Sequence, residues 1–454
     1  LQPGTAPAAI ATESKIVTEL ANQGIAKEDI GRKEFLNVAQ KWYDKYNAII
    51  LDQFKCMGLA CDWDRLAFTM DDHCSLAVRT VFVKMYNEGF IRFGRKIIDR
   101  YSDRVKYWIT FNEQNLYHNP YAYKIAGSDN YVEIATTRPE TLIGDTAVAV
   151  NPKDKRYTNI VGKQVELPLC NRTIPVVADM MVETEFGTGV VKITPAHDPN
   201  DYECAQRHNL PIIQVIERNG KMSANAGKYA GMDRFEARKE IIKDLKDAGY
   251  LIKEEKYRNS VGHCCRCDTI VEPAFTKQWF VKMKDLAQPA IDCVKSGELQ
   301  IYPTRMKKVY LNWMENIHDW CISRQLWSGH QIPVYTCEHC HHEWASIDKP
   351  TECPHCHSQE LTQESDVLDT WFSSALWPMS TLGFPDQHEY LDYFYPTDVM
   401  ITGYDIIFHW VARMVFSGIH NMGKIPFKKV FLNGLVRDGQ GRKMSKNLGN
   451  GIDP

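Results

Sequence analysis

The stretch DVMITGYDIIFHWVARMVFSGIHNMGKIPFKKVFLN, residues 398–433, decides the fold. It opens on a buried-strand run, Asp398-Val-Met-Ile-Thr402. A helical segment follows from Asp405 to Ile419, and a second strand run, Lys429-Val-Phe-Leu-Asn433, closes it. Strand, helix, strand at this spacing is a βαβ crossover, the unit of a parallel sheet, so the fold class is α/β. Such sheets bind ligands beyond the carboxyl ends of their strands. The loop that follows the second strand, residues 441–449, is therefore the first place to look for chemistry.

The chain has 454 residues, a length typical of about three domains. With 44% hydrophobic and 24% charged residues it has globular composition, which excludes a disordered or collagen-like chain. Lys and Arg total 54 against 57 Asp and Glu, so any nucleic-acid partner must be held by local patches. The most apolar stretch, Asp405 to Ile419, carries Asp405, His409 and Arg413 and is too short to span a membrane. The first residues lack the features of a signal peptide. The chain begins at Leu1 rather than Met and stops at Pro454 after a Lys-Gly-Asn-rich loop, as if cut from something longer. Six of the 14 cysteines form CxxC pairs, and the rest stand singly. That usage predicts a reduced, cytoplasmic protein with some metal binding.

Residues 13–100 read as helical, with Leu36, Val38, Trp42, Tyr46, Ile49, Leu51 and Phe54 as one apolar set. Leu76, Val78, Val81, Phe82, Met85 and Phe90 form a second. From about residue 128 the texture turns β-rich, with Tyr131-Val-Glu-Ile, Thr146-Ala-Val-Ala-Val, Thr173-Ile-Pro-Val-Val and Gly189-Val-Val-Lys-Ile-Thr. This segment closes with a helix over Asp233–Ala248 that Gly249 stops. The domains expected are thus 1–127, 128–258 and 259–454, an α/β domain interrupted by a β-rich one.

Cys337-Glu-His-Cys340 and Cys353-Pro-His-Cys356 are two CxxC knuckles joined by a short loop. Four thiolates at this spacing suit one tetrahedral Zn²⁺, with no open position and hence a structural role, in a ribbon over 335–362. Cys264 and Cys267 lack two further ligands, so a half-site or a buried pair fits them better. In Gly441-Arg-Lys443-Met-Ser445-Lys446, two lysines on a glycine-flanked loop can hold a polyphosphate and stabilise a leaving pyrophosphate. A second constellation gathers Thr136, Arg138 and Thr141 at one strand end, with Lys192, Asp198 and Asp201 at another. It suits a polar pocket for an ester carrying a free amine, in which a carboxylate holds the ammonium and a fixed water attacks the carbonyl. A set of turn and helix-cap residues would look the same, and spacing alone leaves the two readings even.

Read in order, ATTRPETLIGDTAVAVNP (135–152), GTGVVKITPAHDPNDYE (187–203), DVLDTWFSSALWP (366–378), TGYDIIFHWVARM (402–414) and GRKMSKNLGNGIDP (441–454) resemble class I aminoacyl-tRNA synthetases, within them the valyl branch. GTAPAAIAT (4–12) and DWCISRQLW (319–327) continue the match, which is co-linear over essentially the whole chain. The resemblance implies a Rossmann-like catalytic domain interrupted by an editing domain, with a zinc ribbon. It implies ATP with Mg²⁺, valine and tRNA(Val) as substrates, a monomer, and no membrane partner. Lys443 and Lys446 would be the catalytic lysines, contacting ATP together with Ser445. Trp371, Ile406 and Trp410 would wall the valine pocket. Thr136, Arg138, Thr141, Lys192 and Asp201 would form the editing pocket, with Asp201 on the substrate amine and Asp198 beside it.

The sequence departs from this pattern in four places. A His-Ile-Gly-His-type motif is absent and would precede Leu1, and Ala6-Pro7 stand where the family has Asp-His. Asn447 replaces a Ser, and the helical anticodon-binding domain would follow Pro454. The function expected is valine–tRNA ligation with hydrolytic editing of threonyl-tRNA. The alternative is a chain keeping only the editing deacylase. A non-catalytic zinc-ribbon nucleic-acid binder is disfavoured by the near-neutral charge.

Overall fold

The computed structural model describes residues 2–6, 9–98, 115–253, 255–258, 261–264, 269–444 and 449–451. Cys267, Ser445, Lys446 and Asn447 lie outside them. The chain divides into two compact units, Leu1–Gly94 with Gln278–Pro454, and Arg95–Lys277.

In the first unit the expected crossover is present. Strands Thr397–Gly403 and Phe427–Asn433 pair in parallel, with Met400 opposite Val430. Gln300–Tyr302 adds a third parallel strand on the other side of Phe427–Asn433. The intervening segment is not one regular helix. It passes through a 3₁₀ turn at Tyr404–Ile406 and a π-helical turn at Ile407–Val411 before the α-helix Ala412–Met422. Ile407, Val411, Met414, Val415 and Phe416 are buried in the unit's main core, beside Trp279, Phe82 and Val430. Burying each such side chain stabilises by about 1.5–3 kcal/mol. No helix among the described residues is long and apolar enough to cross a membrane.

The N-terminal region is helical as expected over Ala9–Asn22, Lys27–Cys56 and Asp72–Asn87, but Ile91–Ile98 is a strand. Gly89, with φ +76°, closes the preceding helix, after which the chain runs extended. The buried face of Lys27–Cys56 also differs. Phe35, Ala39 and Tyr43 point inward, whereas Leu36 and Ile49 are exposed. The i, i+4, i+8 row beginning at Phe35 meets Ile16 and Leu20 of the first helix, and Val38 and Trp42 only flank that contact. Gly4 permits a close approach, since a Cβ there would lie 2.2 Å from the Trp377 ring.

The ribbon is a three-stranded antiparallel sheet with Val334–Cys337 between Glu343–Ala345 and Leu361–Gln363. The two knuckles extend from it.

The Arg95–Lys277 unit reaches beyond residues 128–258 at both ends. Strand Asn115–Lys124 pairs antiparallel with Tyr131–Thr136 and with Glu255–Arg258, so the β-rich unit already includes residues before 128. A second sheet runs in the order Gln164–Glu166, Thr173–Ala178, Ala147–Val150, Val190–Ile193. Within it Ala147–Val150 is parallel to Thr173–Ala178 and antiparallel to Val190–Ile193. The helix expected near its end spans Arg234–Asp247; Asp233 caps it, and Gly249 follows with φ +75°. Ile241 and Leu245 bury its apolar face against the unit's core of Tyr121, Ile134, Val148 and Val176.

Candidate functional site

The antiparallel register sets the geometry of the second constellation. Ala147 faces Ile193 and Val148 faces Lys192. The residues just beyond that pairing, Asp145 and Thr194, are thereby brought together at one end of the sheet. Thr194 lies two residues after Lys192, on the same side of the strand. Lys192 Nζ donates to Thr141 Oγ1 at 2.8 Å, to Asp145 Oδ1 at 3.1 Å, and to Thr194 Oγ1. Thr194 Oγ1 in turn donates to Asp145, and the buried Tyr123 hydroxyl donates to Asp145 Oδ2 at 2.7 Å. Burial raises the Asp145 carboxyl above the usual range, opposed by Lys192, Thr194 and Tyr123. Asp145, Thr194 and Tyr123 were not among the residues singled out from sequence.

Thr136 ends its strand and accepts from the Arg138 N–H at 3.0 Å, while the Thr141 hydroxyl donates to the Arg138 carbonyl at 3.0 Å. The Arg138 guanidinium donates to the Glu272 carboxylate and to the His197 carbonyl at 3.1 Å. Its Nε lies 3.5 Å from Glu140, whose carboxylate is gripped by Arg238 through bonds of 2.7 and 2.6 Å. Burial acts to raise the Glu140 pKa, but Arg238 and Arg138 together bring it below the ordinary value.

Asp198 is the N-cap of helix Pro199–His208, accepting from the Asn200 and Asp201 N–H groups at 2.8 and 3.2 Å. The cap presents the first turn, and with it Asp201, toward the sheet end. Asp201 Oδ2 accepts from the Thr194 N–H at 2.8 Å. Burial, then the neighbouring Asp198 charge, pushes the Asp201 carboxyl up to about 7. A positive charge placed beside it would favour the ionised form. His197 Nε2 accepts from the Val215 and Ile216 N–H groups at 3.0 and 3.3 Å, which places the ring proton on Nδ1. Burial, with Arg138 and Lys192 nearby, lowers its pKa to about 3, so the ring is neutral. Its role is to hold backbone. An open depression in the same unit, lined by Gln214, Glu217, Arg218, Asn219, Ser223 and Asn225, involves none of these groups.

Two cysteine-containing clusters differ in kind. Cys337, Cys340, Cys353 and Cys356 gather their sulfurs within 4.8 Å of one another, with Cys337–Cys356 at 3.5 Å and Cys340–Cys353 at 3.6 Å. Zn–S bonds of about 2.3 Å in a tetrahedron place sulfurs about 3.8 Å apart, so this donor set fits a metal ion. Asp179, Cys204 and His208 also converge. There Arg207 grips Asp179 at 2.9 and 3.0 Å and His208 bonds it at 3.0 Å. Burial and the Asp179 charge push the Cys204 thiol up to about 12, and the Asp179 carboxylate is paired with Arg207. Cys264 joins neither group.

In the first unit, Trp371 lies on the short helix Thr370–Ser374, capped by the buried Asp369. Its ring stands 5.7 Å from that of His409 in the π-turn. The Trp410 indole donates to the Ser374 carbonyl at 3.1 Å, tying the π-turn to that helix. Ile406 immediately precedes the π-turn and is half-buried. Asp369 also accepts from Trp320 Nε1 at 3.0 Å and pairs with Arg324 at 3.1 Å and Arg413 at 3.4 Å. Lys443, after the parallel strand, pairs with Asp405 at 2.6 Å.

A family model described as "tRNA synthetases class I (I, L, M and V)" matches residues 1–454. The chain belongs to that class of enzymes. Within it, the chain is 54% identical to "Valine--tRNA ligase" of Clostridium tetani over 460 residues, all of this chain and 52% of the relative. The "Valine--tRNA ligase" of Thermotoga maritima is 52% identical over 460 residues, covering all of this chain and 53% of the relative. The chain thus spans about half the length of the curated relatives it matches. A solved chain from the ternary complex of Agrobacterium radiobacter K84 agnB2 LeuRS-tRNA-LeuAMS is 18% identical, with a TM-score of 0.39, covering 92% of this chain and 58% of that one. The assignment to the class rests on sequence alone.

Proposed function

We propose that the chain serves valine–tRNA ligation, ATP-dependent activation of valine and its transfer to tRNA(Val), and that its Arg95–Lys277 unit hydrolyses mischarged threonyl-tRNA. The relatives named above support the ligase half. The editing half is carried by one observation: Lys192 fixed among Thr141, Thr194 and Asp145, with the proton-hungry Asp201 carboxyl bonded to Thr194.

A valine pocket rejects isosteric threonine by only about 10²-fold, so a second polar pocket has a physical purpose. In it, Asp201 receives the ammonium of the ester. The threonine hydroxyl finds donors and acceptors among Thr136, Thr141 and Lys192. Lys192 and Arg138 supply positive charge for the oxyanion that forms when water attacks the carbonyl. In the synthetic unit Trp371, Ile406 and Trp410 wall the side-chain pocket, and Lys443 with Ser445 and Lys446 meets the ATP phosphates that Mg²⁺ accompanies. Cys337, Cys340, Cys353 and Cys356 hold a structural Zn²⁺.

Two assays on one preparation test this: valine-dependent exchange of pyrophosphate into ATP, and deacylation of threonyl-tRNA(Val). Deacylation that survives Asp201→Ala overturns the editing assignment. Absence of valine-dependent exchange counts against the synthetic one. Zinc content unchanged by Cys353→Ser overturns the metal assignment.

A further inference from the structure

Glu272 lies outside every motif in the sequence, yet three cationic or N–H groups converge on it. Arg138 donates to its carboxylate, Arg234 Nε stands 3.5 Å away, and His197 Nδ1 faces it at 3.9 Å. The neighbouring Glu140 cannot take over its work, because both Glu140 oxygens already accept from Arg238 and Arg138 Nε is only within 3.5 Å. Arg234 is itself anchored, donating to the Ile270 carbonyl at 3.2 Å. His197 is anchored through its two backbone bonds. Among the described residues, the partners Arg234 and His197 are thus anchored, and Arg138 is the adjustable one. That partner is partly exposed and, without Glu272, keeps a bond to the His197 carbonyl, a loose ion pair with Glu140 and the charge of Asp198 nearby.

We propose that Glu272 is the positioning residue for Arg138. It orients the guanidinium over the Thr136–Thr141 turn and does not itself touch substrate. This inference rests on the editing reading above.

The test is a double-mutant cycle on the full chain, with threonyl-tRNA(Val) deacylation as the readout. Glu272→Ala slows turnover about 10- to 100-fold, as expected when a catalytic cation is misplaced by about an ångström. Glu272→Gln keeps the shape and an acceptor oxygen, holds the fold, and gives a smaller loss. In an Arg138→Ala background, Glu272→Ala costs nothing further, an outcome that general destabilisation would not produce. Wild-type rates in both Glu272 variants, or losses that multiply in the double variant, overturn the assignment and leave the editing reading standing. A wild-type chain with no deacylation overturns both.

Discussion

Two lysines placed near the ends of strands show how differently the two units prepare a cation. Lys192 has three oxygen partners and a side chain 11% exposed, beside a carboxylate that is fully buried. Among the described residues Lys443 has one ion pair, to Asp405, and is 55% exposed. The first is fixed before any substrate arrives, so its charge is ready at a defined point and needs no reorganisation. The second is an exposed lysine head on a largely covered carboxylate, Asp405, and on the proposed reading a polyphosphate would compete for it. Lys192 thus sits in a preorganised polar cluster, and Lys443 in a single pairing seen among the described residues.

That contrast can be broken most directly at Lys192. Lys192→Ala should lower threonyl-tRNA deacylation about 10²- to 10³-fold, the cost of losing a preorganised donor. It should also lower the melting temperature, because breaking a buried pair costs about 3–5 kcal/mol. A melting temperature equal to wild type would mean that the cluster is not preorganised.

A smaller effect is read at Asp201 by pH. The folded-state pKa of Asp201 is raised from 3.8 to about 7, so the folded protein holds that proton more tightly than the unfolded chain. The associated stability is present below pH 4, and is lost as pH rises toward 7, on the order of a few kcal/mol. Asp201→Asn keeps an acceptor for the Thr194 N–H and has no such slope. It should therefore melt higher than wild type at pH 8 and close to it near pH 4. Parallel curves across that range would refute the raised carboxyl.

The smallest effect belongs to Lys443. Ion pairs that solvent reaches contribute about 0–1 kcal/mol, and with the lysine end of this pair 55% exposed, Lys443→Ala should shift stability by about that much. Added salt should erase the difference. A large destabilisation would show that the loop is structural in its own right.

What was legible in the sequence were features whose partners lie close along the chain. The parallel strands at 397–403 and 427–433, the Asp233 cap and Gly249 stop, and the two CxxC knuckles each depend on a short segment. Of the proposed pocket, Thr136, Arg138, Thr141, Lys192, Asp198 and Asp201 stood out because hydroxyls, an Arg, a Lys and paired acids gather at two strand ends. Asp145 did not stand out, since its meeting with Lys192 and Thr194 bridges 47 and 49 residues through a register no local pattern reveals. Glu272 was further hidden, 134 residues from Arg138. Leu36 was misplaced for a different reason. The apolar stripe of its helix is wide enough to rotate by one residue, and packing against Ile16 selected Phe35.

The distance between Arg138 and Glu272 also sets an order of assembly. A chain made from its N-terminus has both sheets of the Arg95–Lys277 unit, the strand Glu255–Arg258 included, available before residue 272 emerges. Arg138 must then wait for 134 residues to be added before its carboxylate arrives. Domains fold as units, N-terminal parts first, during synthesis. The scaffold of the pocket can therefore form early, and its charge balance is completed last, by the segment through which the chain leaves the unit.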